Sequence, residues 1–328
     1  MVLWFLMKTS GFWAEQSKPI FVLAPMADVT DPAFRRIIAK YGKPDVMWTE
    51  FVSADGIFLA DEEGKQKLMR DLTYSEEERP IVAQFFTAKP ELMKKAAELA
   101  RELGFDGFDI NMGCPDKGIE RQGSGASLIR NPKLARELIR AAKEGAGPIP
   151  VSVKTRIGYN KNELESWLPE LLAEEPGLIT IHARTRKEMS KVPARWEEVK
   201  RAVEIRDSLK SNTLIFGNGD VFDLSDARQK AQESGADGVM LGRAIFGNPW
   251  LWSEHVPTAE EKLKVMVEHT KLFEEFLGDI KNFAIMKKHY KAYVNGWDGA
   301  KELRMKLMET ESAGQVEDIV SEYLTSKN

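Results

Sequence analysis

The chain has 328 residues, 30% charged and 43% hydrophobic, which is the composition of an ordinary globular protein with room for one large domain and a small one. Its formal net charge of −4 excludes a global positive field for nucleic acid, so any RNA partner would have to be held by a local basic patch. The single cysteine excludes an internal disulfide and suits a reducing compartment, so we expect a cytoplasmic protein.

The first residues include a short apolar run, residues 2–7 (VLWFLM), which is far too short to span a bilayer. No basic stretch precedes it and no small-residue cleavage site follows it cleanly, so a secretory signal is not indicated. We expect a packing segment or a β-strand laid across the bottom of the main domain. No later run is apolar for long enough to cross a membrane, and we expect no membrane partner.

Eight short apolar runs alternate with longer amphipathic segments. The predicted strands are residues 20–24, 45–49, 81–85, 107–111, 151–155, 178–182, 213–216 and 238–241. The predicted helices between them include residues 32–41, 90–103, 132–144, 163–174, 196–209 and 224–234. Most strands are continuous apolar runs, as in parallel strands that are buried on both faces. Asp31 and Asn131 precede prolines and Asp223 precedes Leu224, which indicates three helix N-caps.

Eight strand–helix units in about 250 residues predict an α/β fold, a (β/α)8 TIM barrel. A doubly wound open sheet is the alternative, because it is built from the same strand–helix–strand units. The first predicted strand is followed by Pro25-Met26-Ala27-Asp28 instead of a glycine-rich dinucleotide turn, and this favours the barrel.

The composition changes after Trp252, and no convincing strand follows. We expect residues 1–255 to form the barrel domain and residues 256–328 to form a small all-helical domain. The segment 281–310 carries seven basic and three acidic residues, with aromatic and histidine side chains interleaved. Two interpretations stay open: a solvated helix face, or a surface that contacts phosphates and offers aromatic platforms.

The stretch from Phe108 to Pro115 (FDINMGCP) is the centre of the pattern, because a buried strand runs there into a loop that holds the only cysteine. Gly118, Gly123 and Gly125 follow, and they let the chain bend and approach a ligand. Cys114 is a candidate acid or nucleophile at a strand end. By position alone it is equally a small buried hydrophobic residue.

The other strand ends also carry polar or unusual residues. In chain order these are Pro25 and Met26, Glu50, Gln84, Asn111, Lys154 and Arg156, His182 with Arg184 and Arg186, Asn218 with Gly219 and Asp220, and Gly242 with Arg243. Since active sites of barrels form at the C-terminal strand ends, we expect these groups to converge. Singly, Gln84 could satisfy buried backbone and Lys154 could belong to an internal ion pair. No His, Cys and Asp spacing resembles a metal site, so we expect no metal.

The last two strand ends suit a phosphate dianion. Asn218-Gly219-Asp220 and Gly242-Arg243 offer unobstructed backbone N–H groups and one guanidinium. The remaining ring suits a flat heterocycle: Gln84 could pair with a pyrimidine edge, and Lys154 could face developing negative charge on a reduced flavin.

Taken together, the sequence resembles the flavin-dependent tRNA-dihydrouridine synthase family. The resemblance covers nearly the whole chain. It rests on APMADVTD at 24–31, TEFVSA at 49–54, DINMGCP at 109–115, GSGA at 123–126, VKTR at 153–156, HARTR at 182–186, NGD at 218–220 and GR at 242–243. It implies an FMN-binding barrel with a C-terminal helical tRNA-binding domain, and a flavin that is reduced by NADPH or NADH. We expect the protein to be a monomer.

The resemblance also implies residue roles. A hydride would pass from the flavin to C6 of a uracil, and Cys114 would protonate C5. Asn111, Lys154 and Arg156 would hold the uracil carbonyls. The implied FMN ligands are Pro25, Met26, Gln84, Lys154, His182, Asn218, Gly219, Asp220, Gly242 and Arg243. Arg184, Arg186 and Lys117 would contact RNA phosphates, whereas Glu50 receives no firm role.

One stretch departs from the family pattern. Between Lys187 and Pro193 the family usually has a tyrosine and a glycine, which this sequence lacks. The departure affects the expected site on the RNA and leaves the flavin chemistry in place. Three alternatives stay open: an FMN barrel that reduces a free pyrimidine or an enone, a dihydrouridine synthase that acts on rRNA, and an RNA-binding module without chemistry.

Overall fold

The computed structural model describes residues 11–326, so the run at 2–7 lies outside the described residues. Eight parallel strands form one sheet: β1 (Ile20–Leu23), β2 (Met47–Ser53), β3 (Ile81–Phe86), β4 (Gly107–Met112), β5 (Val151–Arg156), β6 (Leu178–His182), β7 (Leu214–Asn218) and β8 (Gly238–Leu241). Their order is β1-β8-β7-β6-β5-β4-β3-β2. The sheet closes where Val22 pairs with Val46, just before β2, and the N–H of Leu23 donates to the carbonyl of Val46 at 3.2 Å. The predicted barrel is confirmed, and the open-sheet alternative is wrong.

Helices follow the strands around the outside of the barrel. They are α1 (Pro32–Tyr41), α2 (Ala54–Leu59), α3 (Glu62–Asp71), α4 (Pro90–Glu102), α5 (Lys117–Arg121), α6 (Pro132–Ala146), α7 (Leu164–Leu172), α8 (Trp196–Ser208) and α9 (Leu224–Ser234). The three predicted N-caps are confirmed, because Asp31, Asn131 and Asp223 each accept a hydrogen bond from a backbone N–H in the first turn of their helix.

The inside of the barrel is apolar at its N-terminal end. Trp13, in the 3-10 turn Gly11–Glu15, is 3% exposed and packs against the rings of Trp48 and Phe216, at 5.9 and 5.6 Å between centroids. Val82, Leu178 and other aliphatic side chains complete this cluster. The described residues thus fill the interior of the barrel at its N-terminal end, so the interior can hold a ligand toward the C-terminal strand ends.

Strand β2 differs from its prediction. It continues to Ser53, and its register against β3 shifts between Trp48 and Phe51. The extra residue of such an irregularity re-aims side chains. Glu50 lies at this shift, within the strand rather than after it.

Helices α10 (Ala259–Leu277), α11 (Met286–Tyr293), α12 (Ala300–Leu307) and α13 (Ala313–Thr325) form the C-terminal part. Thr258 caps α10, close to the predicted boundary, although the division into two domains stays a prediction. Across residues 11–326, none of the helices combines the length and the apolar character that crossing a bilayer requires.

Two interpretations were open for segment 281–310, and three of its four candidate aromatic platforms are not on the surface. His289, Tyr290 and Tyr293 are fully buried, whereas Trp297 is half-buried. The His289 ring lies 4.9 Å from that of Phe34 in α1, so α11 uses its aromatic face to pack against the barrel. The interpretation of the three buried side chains as RNA platforms is therefore wrong, because the helical period places them on the core-facing side.

Candidate active site

The strand register brings the predicted polar residues together at the C-terminal end of the barrel. Asn111 of β4 pairs with Lys154 of β5, and Arg156 pairs with His182 of β6. His182 pairs in turn with Asn218 of β7. Parallel strands end at one edge, so these side chains meet although more than 100 residues separate the first from the last.

These strand ends surround a cavity of about 600 Å³. Eleven predicted site residues line it: Pro25, Met26, Lys154, Arg156, His182, Arg184, Asn218, Gly219, Asp220, Gly242 and Arg243. Gln84, Asn111, Cys114 and Arg186 are not among its lining residues. Pro115 lines the cavity, which places Cys114 at its edge.

One end of the cavity carries the groups that suit a phosphate. Gly219 has φ +120°, and a Cβ there would lie 2.9 Å from the Cβ of Ala194 and 3.1 Å from the His182 ring. Only glycine fits this position without displacement. Gly242 also lines the cavity, and the Arg243 side chain is 67% exposed beside it.

The Asp220 carboxylate organises the two arginines at this end. It accepts hydrogen bonds from Arg184 Nη2 and from Arg243 Nη2, the latter at 2.8 Å, and from the N–H of Ala194. The hydrogen bond from Arg184 holds the pKa of Asp220 below its usual range. Asp220 is therefore ionised, and its carboxylate holds the guanidinium groups of Arg184 and Arg243 beside the cavity. Contact of Asp220 with a cofactor stays a prediction.

Lys154 and His182 lie in the middle of the cavity wall. Lys154 Nζ lies 3.3 Å from Asn218 Oδ1, and burial together with the charge of Arg156 lowers its pKa to about 8. Burial and the neighbouring cations lower the pKa of His182 well below its usual value, so this ring is neutral. Because a guanidinium only donates, Arg184 Nη1 at 3.2 Å makes His182 Nε2 the acceptor and leaves the proton on Nδ1.

Arg156 holds two loops by their backbone. Its Nε donates to the carbonyl of Gly113 at 2.7 Å, and Nη1 donates to the carbonyls of Thr185 and Met189. Arg156 thus joins the loop after β4 to the loop after β6. Its Nη2 has no partner within residues 11–326.

The loop after β4 presents Cys114 as a protonated thiol. The N–H groups of Gly113 and Cys114 both donate to Asn111 Oδ1, at 3.1 and 2.9 Å. Gly125 has φ +60°, and a Cβ there would lie 2.7 Å from the carbonyl oxygen of Cys114. Burial raises the pKa of the Cys114 thiol, so the thiol keeps its proton at neutral pH. Gly123 also has a positive φ, whereas Gly118 lies in α5 and has no left-handed conformation.

Two arginines expected at RNA phosphates are engaged inside the protein. Arg184 is 2% exposed and also donates through Nε to the carbonyl of Val192 at 2.6 Å. Arg186 makes a bidentate pair with Glu120 of α5. Lys117 is exposed at the start of α5. Contact of these three residues with RNA stays a prediction, and Lys117 is the one that the structure leaves accessible.

The divergent loop contributes two cavity residues that were not predicted. Met189 and Ser190 both line the cavity, and Met189 has φ +57°, which is unusual for a residue with a side chain. No signal in the sequence points to them beyond the departure itself. Phe222, 73% exposed at the cavity mouth, was missed as well.

Glu50 joins the barrel to the segment between α10 and α11. Lys281 Nζ lies 2.6 Å from Glu50 Oε2 and 2.8 Å from Asp71 Oδ1. Burial raises the pKa of Glu50 to about 7, and the nearby charges of Asp71 and Asp31 add to this shift. Burial opposes ionisation of Lys281, but its two carboxylate partners prevail and raise its pKa.

Within residues 11–326, no group of three or more His, Cys, Asp or Glu side chains could hold a metal ion. The expectation that the protein binds no metal stays a prediction.

Comparison with known proteins identifies the family. A family model described as "Dihydrouridine synthase (Dus)" matches residues 22–328. The chain is 40% identical over 319 residues to a "Probable tRNA-dihydrouridine synthase" of Staphylococcus aureus (strain COL), covering 95% of both chains. It is also 40% identical over 321 residues to "Probable tRNA-dihydrouridine synthase 2" of Bacillus subtilis (strain 168), covering 96% of this chain and 97% of that protein.

Two solved structures resemble the fold at low identity. Histamine dehydrogenase from Rhizobium sp. 4-9 matches with a TM-score of 0.55 and 13% identity, over 78% of this chain and 49% of that one. The 6-hydroxypseudooxynicotine amine oxidase from Pseudomonas geniculata N1 matches with a TM-score of 0.54 and 12% identity, over 79% of this chain and 53% of that one. The chain spans about half the length of each, and these likenesses concern the fold alone. Because the family model matches nearly the whole sequence and relatives 40% identical are covered almost completely, the chain belongs to the dihydrouridine synthase family.

Proposed function

We propose that the protein reduces the C5=C6 bond of a uridine in tRNA, using bound FMN that is reduced by NADPH or NADH. The observation that carries the proposal is a lone protonated thiol, Cys114, at the edge of a cationic cavity in a member of this family. The relatives named as probable tRNA-dihydrouridine synthases support the choice of tRNA.

The cavity fits a flavin mononucleotide. Its volume of about 600 Å³ suits a cofactor of that size. The Gly219 turn, Gly242 and the exposed guanidinium of Arg243 suit the phosphate, and Pro25 and Met26 offer an apolar wall. A reduced flavin bound here would supply the hydride that adds to C6 of the uracil.

The chain's own residues would handle the charge and the proton. The Cys114 thiol holds a proton at neutral pH and would give it to C5 as general acid. Lys154 carries a positive charge in the cavity wall and would stabilise the negative charge that develops on a uracil oxygen. Arg156 Nη2, which the loops leave without a partner in residues 11–326, would bind the second uracil carbonyl.

The target base has to leave its stack to reach this site. Extruding a base costs a few kcal/mol, which phosphate contacts elsewhere must offset. Three exposed lysines would supply such contacts: Lys117 follows the cavity residue Pro115 by two positions, and Lys187 and Lys191 flank the cavity residues Met189 and Ser190. We also propose a cytoplasmic monomer, since the lone thiol suits a reducing compartment.

A second candidate is an FMN-dependent reductase of a small pyrimidine or enone. The internal pairing of Arg184 and Arg186 favours it, because these two guanidinium groups are not free for RNA. Turnover of free uracil at a rate comparable to that of tRNA would support this alternative.

The proposal is tested by expressing the protein in a host that lacks dihydrouridine and measuring its tRNA by mass spectrometry. We expect one uridine to gain the mass of two hydrogens, and expression of Cys114→Ala to give no gain. No gain from folded, yellow wild-type protein would contradict tRNA as the substrate.

A further inference from the structure

Asp109 is a carboxylate in the middle of strand β4, which is otherwise apolar up to Asn111. It is 1% exposed and lies on the same side of the strand as Asn111, because residues two apart share a face. Gln84 of β3 and Ser152 of β5 are its register partners on the two neighbouring strands. Both donate to it: Gln84 through Nε2, and Ser152 through Oγ at 2.5 Å to Oδ1.

From Asp109 a continuous hydrogen-bond chain leads to the reactive cysteine. Gln84 Oε1 accepts from Asn111 Nδ2 at 3.0 Å. Asn111 Oδ1 then accepts from the N–H groups of Gly113 and Cys114, at 3.1 and 2.9 Å. Every link is buried, except that Cys114 itself is half-buried at the edge of the cavity.

The direction of this chain is set at its buried end. Burial raises the pKa of the Asp109 carboxyl to about 6, so the group is ionised at neutral pH and above. Because an ionised carboxylate can only accept, Gln84 must turn its NH2 group toward Asp109 and its carbonyl toward Asn111. Asn111 must then turn its NH2 group toward Gln84 and its carbonyl toward the Cys114 loop. A donor at position 109 would invert the amides of Gln84 and Asn111. The NH2 group of Asn111 would then face the backbone N–H groups of Gly113 and Cys114, which can only donate.

We propose that Asp109 is a positioning residue that fixes the orientation of both amides and thereby holds the Cys114 backbone, so that the thiol stays at the cavity edge. This inference rests on the proposed function only for its catalytic meaning, since the positioning itself is a property of the folded chain. Asp109 touches neither the cavity nor the thiol, and it acts through Gln84 and Asn111.

Moving the carboxylate from position 109 to position 84 separates the positioning role from a merely structural one. An asparagine at 109 could keep its oxygen toward Gln84 by donating its NH2 group to Ser152 Oγ, which lies 3.3 Å from the carbonyl of Phe108 and would donate to it. All proteins compared, the reference included, therefore carry Ser152→Ala, so that the amide of Asp109→Asn has only Gln84 to donate to and the hydrogen bonds to Gln84 and Asn111 invert. In the double variant Asp109→Asn with Gln84→Glu, the amide at 109 donates to the carboxylate at 84, which again accepts from Asn111.

The measurement is the rate at which iodoacetamide alkylates the full-length protein, because Cys114 is the only cysteine in the sequence. We expect Asp109→Asn to raise the alkylation rate about three- to tenfold, as the loss of about one net backbone hydrogen bond predicts. The double variant should return to within about twofold of the rate of the Ser152→Ala reference. Asp237→Asn is the matched control, since it neutralises another buried carboxylate at the opposite end of the barrel, beside Lys18 and Arg206.

Two outcomes would overturn the proposal: an unchanged rate in Asp109→Asn, or a double variant that reacts as fast as Asp109→Asn. If Asp109→Asn does not fold, the double variant alone decides, because it should fold and be alkylated like the Ser152→Ala reference. Parallel assays of dihydrouridine in tRNA separate the two claims. If the double variant restores the alkylation rate but the wild type does not reduce tRNA, the proposed function alone is refuted. If the wild type reduces tRNA but the double variant does not restore the alkylation rate, the positioning role alone is refuted.

Discussion

Replacing Lys281 by methionine is expected to destabilise the protein far more than the same replacement at Lys271. Lys281 lies 2.6 Å from Glu50 and 2.8 Å from Asp71, and the three side chains are 14%, 5% and 15% exposed. Lys271 makes a pair of similar length with Glu317, 2.7 Å, but those two side chains are 50% and 48% exposed. The two lysines therefore differ in burial and hardly in distance.

The expected size of the effect follows from that burial. Removing one partner of a buried ion pair costs about 3–5 kcal/mol, because the remaining charge is left unpaired. Glu50 offsets part of this cost by taking up a proton, since its pKa is already about 7. We expect a loss of about 2–4 kcal/mol near neutral pH for Lys281→Met. The loss for Lys271→Met should stay below about 1 kcal/mol, as for other exposed pairs.

The pH dependence gives a second, independent signature. Folding raises the pKa of Glu50, so its contribution to stability is present below the unfolded value of 4.5 and is lost as the pH rises through about 7. Without the positive charge of Lys281 the pKa of Glu50 rises further. The stability of Lys281→Met should therefore fall more steeply than that of the wild type across neutral pH, and adding Glu50→Gln should remove the extra slope.

Urea denaturation of both single variants and of the double variant, followed by tryptophan fluorescence at several pH values, measures these differences. Equal losses for Lys281→Met and Lys271→Met would refute the reasoning. A difference between Lys281→Met and the wild type that does not change with pH would refute the assignment of the buried charge to Glu50.

Three further predictions follow from single contacts. Gly125→Ala should lower the free energy of unfolding by about 3 kcal/mol or more, because the position combines a positive φ with a 2.7 Å contact between the new Cβ and backbone. Gly296→Ala, with φ +89° and open space around it, should cost about 1 kcal/mol. Similar melting temperatures for the two variants would contradict this. Glu78→Gln, which leaves a fully buried arginine without its carboxylate, should cost about 3–5 kcal/mol, and Glu63→Gln in an exposed pair should change nothing measurable in the same thermal assay. Arg243→Ala should weaken FMN binding about tenfold at an unchanged melting temperature, because this side chain is exposed beside the cavity; unchanged affinity would remove it from the phosphate site.

The barrel could be predicted from the sequence because its signals are local. Continuous apolar runs mark buried parallel strands, and Asp31 and Asn131 before prolines mark helix starts. The convergence of Lys154, His182 and Asn218 was predictable too, since the ends of parallel strands meet at one edge.

The partners of the charged residues could not be predicted in this way. Arg186 meets Glu120 across 66 residues, and Lys281 meets Glu50 across 231. Such pairs depend on how loops and the C-terminal helices pack, which periodicity does not encode. The place of His289 stayed open in the sequence for a related reason: periodicity puts it on one face of its helix with Tyr290 and Tyr293, but it does not say whether that face meets RNA or α1.

The most direct test of the central claim uses purified full-length protein with FMN, NADPH and tRNA that lacks dihydrouridine. Wild-type protein should convert one uridine to dihydrouridine, detected by mass spectrometry, with free uracil reduced far more slowly. Cys114→Ala should bind FMN equally well and leave the tRNA unchanged. Full conversion by Cys114→Ala, or reduction of free uracil with no change in the tRNA, would contradict the account.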